Sequence, residues 1–195
     1  MPDLIIKPTA TSGNKLILKD QAGGAVLTTA DSGATLGTIS GGTLTSGVTF
    51  PAGHVLQVNY GQDASTITTN SSSWTVKHAV SVAITPKFAS SKILLFGSLS
   101  TYMANAGYAA YSFYKNASDY SETYNLSGKD YGLATTQYHA NKWTNHVFMQ
   151  YLDTATSTTE KTYGITGRSD GGVQAAYIGW GTSQYTTITA MEIKQ

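Results

Sequence analysis

The residues best spaced for catalysis form the run Gly167-Arg168-Ser169-Asp170-Gly171, which matches the G-x-S-x-G pattern around a serine nucleophile. In a hydrolase this pattern follows a strand, precedes a helix, and lies upstream of the histidine that accepts the serine proton. Here the segment after Gly171 is strand-like, and every histidine precedes Ser169: His54, His78, His139 and His146. Because Asp-Gly is a common hairpin turn pair, the run predicts a turn between strands, and the sequence predicts no enzyme.

The histidines also give weak support for a metal site. His139 and His146 are separated by more than the two to five residues usual for a zinc-binding pair. Strand alternation places His146 on the same face as Phe148 and Leu152, which favours a packed or surface histidine. The chain has no cysteine, and its glycine-rich runs lack the lysine of a phosphate-binding loop. The sequence predicts neither a metal nor another cofactor.

Charge and hydropathy restrict the partners. Charged residues are 12% of the chain, about half the ~25% usual in soluble domains, and the net charge is +1. Nucleic-acid-binding proteins concentrate Lys and Arg on one face, whereas Arg168 is the single arginine here. The longest aliphatic stretch, Ile93–Phe96, is far shorter than the ~20 residues that span a bilayer. The first residues also lack the features of a signal peptide. We therefore expect synthesis in the cytoplasm and no nucleic-acid or membrane partner.

Residues 51–195 have the pattern of an all-β domain. Val80, Val82 and Ile84 alternate with small or polar residues, as in a half-buried strand. The stretch 92–100 is apolar on both faces, which predicts a central strand covered on both sides. Further strands are predicted at 55–60, 74–78, 109–115, 143–152, 161–166, 173–180 and 186–193. Many short strands separated by turns predict a jelly-roll-like sandwich.

Residues 1–50 differ from the rest. Three short apolar stretches precede a segment rich in Gly, Thr and Ser that is too polar to form a core. We interpret 1–50 as an extended arm and linker that needs a partner, and the alternative is a few edge strands folded back on the same domain. The candidate attachment residues are Leu4, Ile5, Ile6, Leu16, Ile17, Leu18, Val26 and Leu27.

Tyrosine is unusually frequent, with 13 residues, and many lie between Tyr102 and Tyr138. Tyrosine combines a rigid apolar face with a polar tip, which suits subunit interfaces and stacking on sugar rings. The competing interpretation is that these rings pack between strands. The candidate contacts for a neighbouring subunit or a glycan are Tyr108, Tyr111, Tyr114, Tyr120, Tyr124 and Trp180.

Several stretches resemble virion structural proteins of tailed phages, notably marine and cyanobacterial ones. In the N-terminal part they are Leu4-Ile-Ile-Lys-Pro8 and the run from Gly13 to Gly33; in the C-terminal part they are Pro51-Ala-Gly-His-Val-Leu-Gln-Val58, Ile84-Thr-Pro86, Ala89–Leu94, Tyr151–Asp153 and Thr187–Ile193. The resemblance is to proteins labelled fibre, tail fibre or head decoration. It implies a jelly-roll-like head, usually a homotrimer, and an arm that attaches to the particle.

Three functions follow from these observations. The first is a trimeric capsid decoration or cement protein on the virion surface, whose partner is the major capsid protein or another virion protein. The second is a tail-fibre or receptor-binding protein whose head recognises a host surface glycan. The third is a lectin or carbohydrate-active enzyme without a virion role. An arm of roughly 50 residues spans at most ~170 Å, and the chain has no heptad pattern for a stalk, which favours decoration.

Overall fold

The computed structural model describes residues 16–19, 21–23, 25–30, 33–36, 51–74, 76–103, 106–117, 120–123, 125–138, 143–170, 176–179 and 184–195. These residues form strands and turns, with no helix among them. The strands are β1 (Ile17–Lys19), β2 (Ala25–Ala30), β3 (Gly33–Leu36), β4 (Val55–Asp63), β5 (Ile67–Thr69), β6 (Val76–Ile84), β7 (Lys92–Met103), β8 (Gly107–Ala117), β9 (Tyr120–Thr123), β10 (Ala134–Tyr138), β11 (Trp143–Thr154), β12 (Lys161–Ser169), β13 (Ala176–Ile178) and β14 (Thr186–Ile193). The chain divides into two compact units, residues 1–49 and 50–195.

The N-terminal unit contains a three-stranded antiparallel sheet in the order β1-β2-β3. Leu18 pairs with Leu27, and Leu27 pairs with Leu36, so apolar residues follow one another across the sheet. The turn between β1 and β2 includes Gly23, whose φ of 85° is a conformation that glycine adopts without steric cost. Of the three apolar stretches of the arm, the second and third pair with each other in this sheet, and the first, at residues 4–6, lies outside the described residues.

The C-terminal unit is an antiparallel sandwich. One sheet contains the strands β4-β14-β7-β11 in that order. In the same sheet, β13 pairs with the end of β7, and β5 pairs with β13. We call it the front sheet. The other has the order β6-β12-β8-β10, with β9 also paired to β8, and we call it the back sheet. The four strands β4-β14-β7-β11 of the front sheet and the four strands β6-β12-β8-β10 of the back sheet have the order of an eight-stranded jelly roll. The predicted all-β, jelly-roll-like sandwich is confirmed.

The core lies between the two sheets. Alternate residues of β6, namely Val80, Val82 and Ile84, are at most 5% exposed, and Ile93, Leu95 and Leu99 of β7 are fully buried. The same two-residue period in β8, β12 and β14 contributes Phe113, Tyr163, Ile165, Ile188 and Ala190. This period is what a sheet with one buried face requires.

A buried carboxylate connects the front sheet to the loop after β6. Glu192 of β14 is fully buried, and its Oε1 accepts a hydrogen bond from the Lys87 backbone N–H at 2.7 Å. Its Oε2 accepts another from Gln57 Nε2 at 2.6 Å. Asn59 Nδ2 donates to the Ala83 carbonyl at 2.6 Å, which joins the edge strand β4 to β6 of the back sheet. Hydrogen-bonding offsets the cost of burying these polar groups and fixes where the sheets meet.

The observed strands differ from the predicted ones in three respects. The predicted strand 74–78 and the alternating run at 80–84 form one strand, β6, because His78 is buried in line with Val80 and continues the period. Strands β5, β9 and β10 were not predicted, and β13 is shorter than the predicted 173–180, part of which lies outside the described residues. β7 is central, as predicted, but among the described residues another layer covers only its inner face. Its outward residues Leu94, Phe96 and Ser98 remain half-buried.

Candidate functional site

The candidate attachment residues that the structure describes lie in the small N-terminal sheet or, for Leu16, directly before it. Ile17 and Leu18 in β1 are 44% and 47% exposed, while Leu16 and Leu27 are half-buried. Val26 lies in β2. Leu4, Ile5 and Ile6 lie outside the described residues. A three-stranded sheet has too little surface to bury its own apolar residues fully, and β1 therefore presents two adjacent large apolar side chains.

Two of the candidate tyrosines are buried inside the C-terminal unit. Tyr111 is fully buried, and its hydroxyl lies 3.2 Å from Thr136 Oγ1. Tyr114 is 6% exposed, and its ring covers Gly164 of the neighbouring strand β12. Burial raises the pKa of the Tyr114 phenol, because the charged form is disfavoured away from water. Neither ring has surface available to a glycan or a neighbouring subunit, and the packing interpretation holds for both.

Tyr108 is the candidate tyrosine that the structure places at the surface. Its half-buried ring lies 5.2 Å, centroid to centroid, from the ring of Tyr131, which is 59% exposed. The Arg168 guanidinium lies 5.6 Å from the Trp74 ring and donates to the Ser72 carbonyl at 2.9 Å. The exposed Tyr131 ring has the geometry to stack on a sugar ring. Tyr120 lies in β9, and Tyr124 and Trp180 lie outside the described residues.

Ser169 occupies a position unlike a nucleophile elbow. It is the last residue of β12, it is fully buried, and its backbone N–H donates to the Ser71 carbonyl at 2.9 Å. A nucleophile elbow instead exposes the serine at a sharp turn between a strand and a helix. The hydroxyl of Ser169 is therefore inaccessible to a substrate in this structure. The proposed turn at Asp170-Gly171 extends into residues outside the described ranges.

None of the described histidines, His54, His78 and His146, belongs to a group of side chains that could hold a metal ion. His146 is exposed on the outer face of the front sheet, on the side that carries Phe148 and Leu152, and its Nε2 lies 2.9 Å from Ser98 Oγ. Asp153 forms an ion pair with Lys115 at 2.9 Å. His139 lies outside the described residues. Within the described parts of the chain, no group of three His, Asp or Glu side chains could hold a metal ion. No helix of the described residues is long and apolar enough to span a membrane.

The surface that sequence reasoning missed is the outer face of the front sheet. The strand register aligns its outward residues in three rows of four across β4, β14, β7 and β11. The rows are Val58-Met191-Leu94-Leu152, Tyr60-Thr189-Phe96-Gln150 and Gln62-Thr187-Ser98-Phe148. We call these residues the front face. The apolar run on both sides of β7 was the signal that could have found it, but each strand supplies only three of its residues.

Comparison with known proteins gives little further information. No family model matches the chain, and no curated protein matches it. Among solved structures, a chain of a structure titled "Structure of infectious bursal disease virus Gx strain" aligns with 13% identity and a TM-score of 0.26. That alignment covers 87% of this chain and 49% of the viral chain. The chain thus spans about half the length of that viral chain.

Proposed function

We propose that this chain is a phage virion structural protein, a trimeric capsid decoration protein that attaches through its N-terminal unit and presents its jelly roll outward. The observation that supports the proposal is the difference between the two units in how fully they bury their apolar residues. The C-terminal unit has a complete core of its own, whereas β1 exposes Ile17 and Leu18 at 44% and 47%. Exposed apolar residues on a small sheet are stabilised when a partner covers them. The sequence resemblance to phage fibre and decoration proteins supports the same assignment.

The attachment is tested by binding of the full chain to phage particles that lack it. The double variant Ile17→Asp with Leu18→Asp should lose particle binding at least ten-fold, because it places two charges in the apolar contact. Phe88→Asp is the matched control, since Phe88 is 42% exposed but belongs to the C-terminal unit. Cosedimentation with particles measures the occupancy of both variants. Equal occupancy of the double variant and the parent chain would contradict attachment through β1.

The second candidate is a receptor-binding fibre, which the exposed Tyr131 ring beside the half-buried Tyr108 ring favours. Aromatic rings with one open face stack on sugars, and their hydroxyl groups can bind the sugar hydroxyls. Under this function, Tyr131→Ala would reduce host adsorption while leaving the occupancy on the particle unchanged. Under the decoration function, the same variant leaves adsorption per particle unchanged. Adsorption assays with particles of equal occupancy separate the two.

A further inference from the structure

The front face is an uncovered apolar surface on an otherwise well-packed sandwich. Four of its side chains are more than half exposed: Val58 54%, Tyr60 58%, Phe148 63% and Leu152 53%. Leu94, Phe96 and Met191 lie between them and are half-buried. The rings of Phe96 and Phe148 stack across adjacent strands with centroids 6.0 Å apart. These residues are contiguous, unlike the singly scattered apolar residues that are normal on protein surfaces.

The chemistry of the front face excludes several kinds of partner. None of its twelve positions, three rows of four, is Asp, Glu, Lys or Arg. Nucleic acids and anionic lipid headgroups are bound by clustered Lys and Arg, which these positions do not supply. Sugars need a dense set of hydrogen-bonding groups beside an aromatic platform, whereas one row is entirely apolar. The nearest charged residue along β7 is Lys92, whose Nζ donates to Thr154 Oγ1 at 2.8 Å at the margin of the face.

We infer that the front face is the contact surface for a second copy of this chain. A face without charge can meet another copy without like-charge repulsion, whatever the symmetry of the contact. Its composition is that of an interface core, rich in aromatic residues and Met and depleted of charge. The polar residues at its margin, including His146 and Gln62, would form the rim.

The size of the face fits this partner. Strands about 4.8 Å apart and rows about 6.8 Å apart give roughly 20 Å by 20 Å, or about 400 Å². A stable interface takes about 800 Å² from each partner, of which the centre is apolar and the rim polar. The front face therefore supplies the apolar centre of one such interface. The contact also explains why β7 is apolar on both faces: its inner face packs against the back sheet, and its outer face packs against the second copy.

The inference rests on the proposed function and names the partner of its C-terminal unit. It is tested by the mass of the full chain in solution, measured by light scattering from about 1 to 50 μM. The parent chain should be an oligomer, and Phe148→Asp with Leu152→Asp should require at least ten-fold higher concentration to assemble. Thr135→Asp is the control, because Thr135 is exposed on β10 of the back sheet and should leave the mass unchanged. A monomeric parent chain at 50 μM, or an unchanged mass of the double variant, would overturn the inference.

A labelling experiment avoids charged substitutions altogether. The chain has no cysteine, so Gln150→Cys on the front face introduces a unique thiol. Maleimide should react with it at least ten-fold more slowly at assembling concentration than after dilution. Thr135→Cys, at an exposed position of β10, should react equally under both conditions. Equal rates for Gln150→Cys would refute the contact even if the double variant failed to fold.

The outcomes separate this inference from the proposed function. Loss of assembly in the double variant supports the contact whether or not the chain binds particles. If the chain assembles through the front face but does not bind phage particles, only the decoration role is contradicted. A dimeric rather than trimeric mass that depends on Phe148 and Leu152 supports the contact and contradicts the three-fold symmetry.

Discussion

The Tyr163 hydroxyl donates a 2.8 Å hydrogen bond to Asp153 Oδ2, from the back sheet to the front sheet. Lys115 Nζ, also on the back sheet, lies 2.9 Å from the same oxygen. The side chains of Lys115 and Asp153 are 13% and 12% exposed, so the charges are largely removed from water. Burial and the nearby Asp153 charge raise the pKa of the Tyr151 phenol. One carboxylate thereby connects three strands at this end of the sandwich.

Tyr163→Phe should lower the free energy of unfolding by about 1.5–3 kcal/mol, the usual contribution of a hydrogen bond to a charged group. Tyr163 is fully buried, and Phe preserves its packing. Urea denaturation of the parent and variant chains measures the difference. Tyr185→Phe, at a 56% exposed position, is the control and should change stability little. A Tyr163→Phe variant as stable as the parent would show that the cross-sheet bond contributes nothing.

Acid should destabilise the C-terminal unit through His78. The side chain is 1% exposed; its Nδ1 accepts from the Val80 N–H at 2.9 Å, so Nε2 donates to the Ser65 carbonyl. Burial lowers the pKa of His78, although the Ser65 carbonyl and Asp63 partly oppose that shift. The unfolded chain therefore takes up a proton near pH 6.5 that the folded chain resists. Stability should fall as the pH drops below about 6.5 and stop responding to His78 below its lowered folded pKa.

The measurement is the unfolding free energy of the parent chain and His78→Gln between pH 7.5 and 5. The difference between the two should shrink as the pH falls, because the variant has no imidazole to protonate. His54→Gln, at an exposed position, keeps His78 and should follow the parent. If the unfolding free energies of the parent and His78→Gln fell in parallel with pH, protonation of His78 would not be the cause of the acid destabilisation.

Gly164→Ala should destabilise the sandwich by about 1–3 kcal/mol, the cost of overpacking. A Cβ at this position would overlap the Tyr114 ring, which covers the glycine. Tyr114→Ala removes the obstacle, so the double variant should be less destabilised than the sum of the single ones. A double-mutant cycle by urea denaturation measures this coupling. Strict additivity would show that the ring moves aside freely.

Ser169→Ala should not change any hydrolytic activity of the chain, because the Ser169 side chain is fully buried at the end of β12. A fluorophosphonate probe should label the parent and the variant equally weakly. Labelling of the parent that disappears in Ser169→Ala would revive the hydrolase hypothesis.

The sequence predicted the strands that carry their own apolar pattern and missed those that depend on pairing. β7 and β14 have continuous or alternating apolar residues and were predicted within a few positions. β5 and β10 are short and rich in Thr, and their strand conformation comes from hydrogen bonds to β13 and β8. The sequence of a short segment does not indicate which distant strand it will pair with.

The candidate surfaces were harder to predict than the fold. Tyr111 and Tyr114 are both buried, although residues three positions apart in a strand point to opposite faces. Tyr111 lies in the core, whereas Tyr114 is covered because it folds over Gly164. The front face, in contrast, combines residues separated by up to 133 positions, from Val58 to Met191. Only the pairing register brings them together.

The position of β14 between β4 and β7 has a consequence for biosynthesis. In chain order β14 follows every other strand of the jelly roll, yet it separates two strands that precede it by many residues. While the ribosome is still translating residues 186–193, β4 and β7 expose unpaired edges, which are templates for aggregation. The front sheet therefore closes after translation of β14, through contacts of long sequence separation that form slowly. Nascent chains on adjacent ribosomes would meet with those edges open, so a chaperone that shields them would raise the yield of native protein.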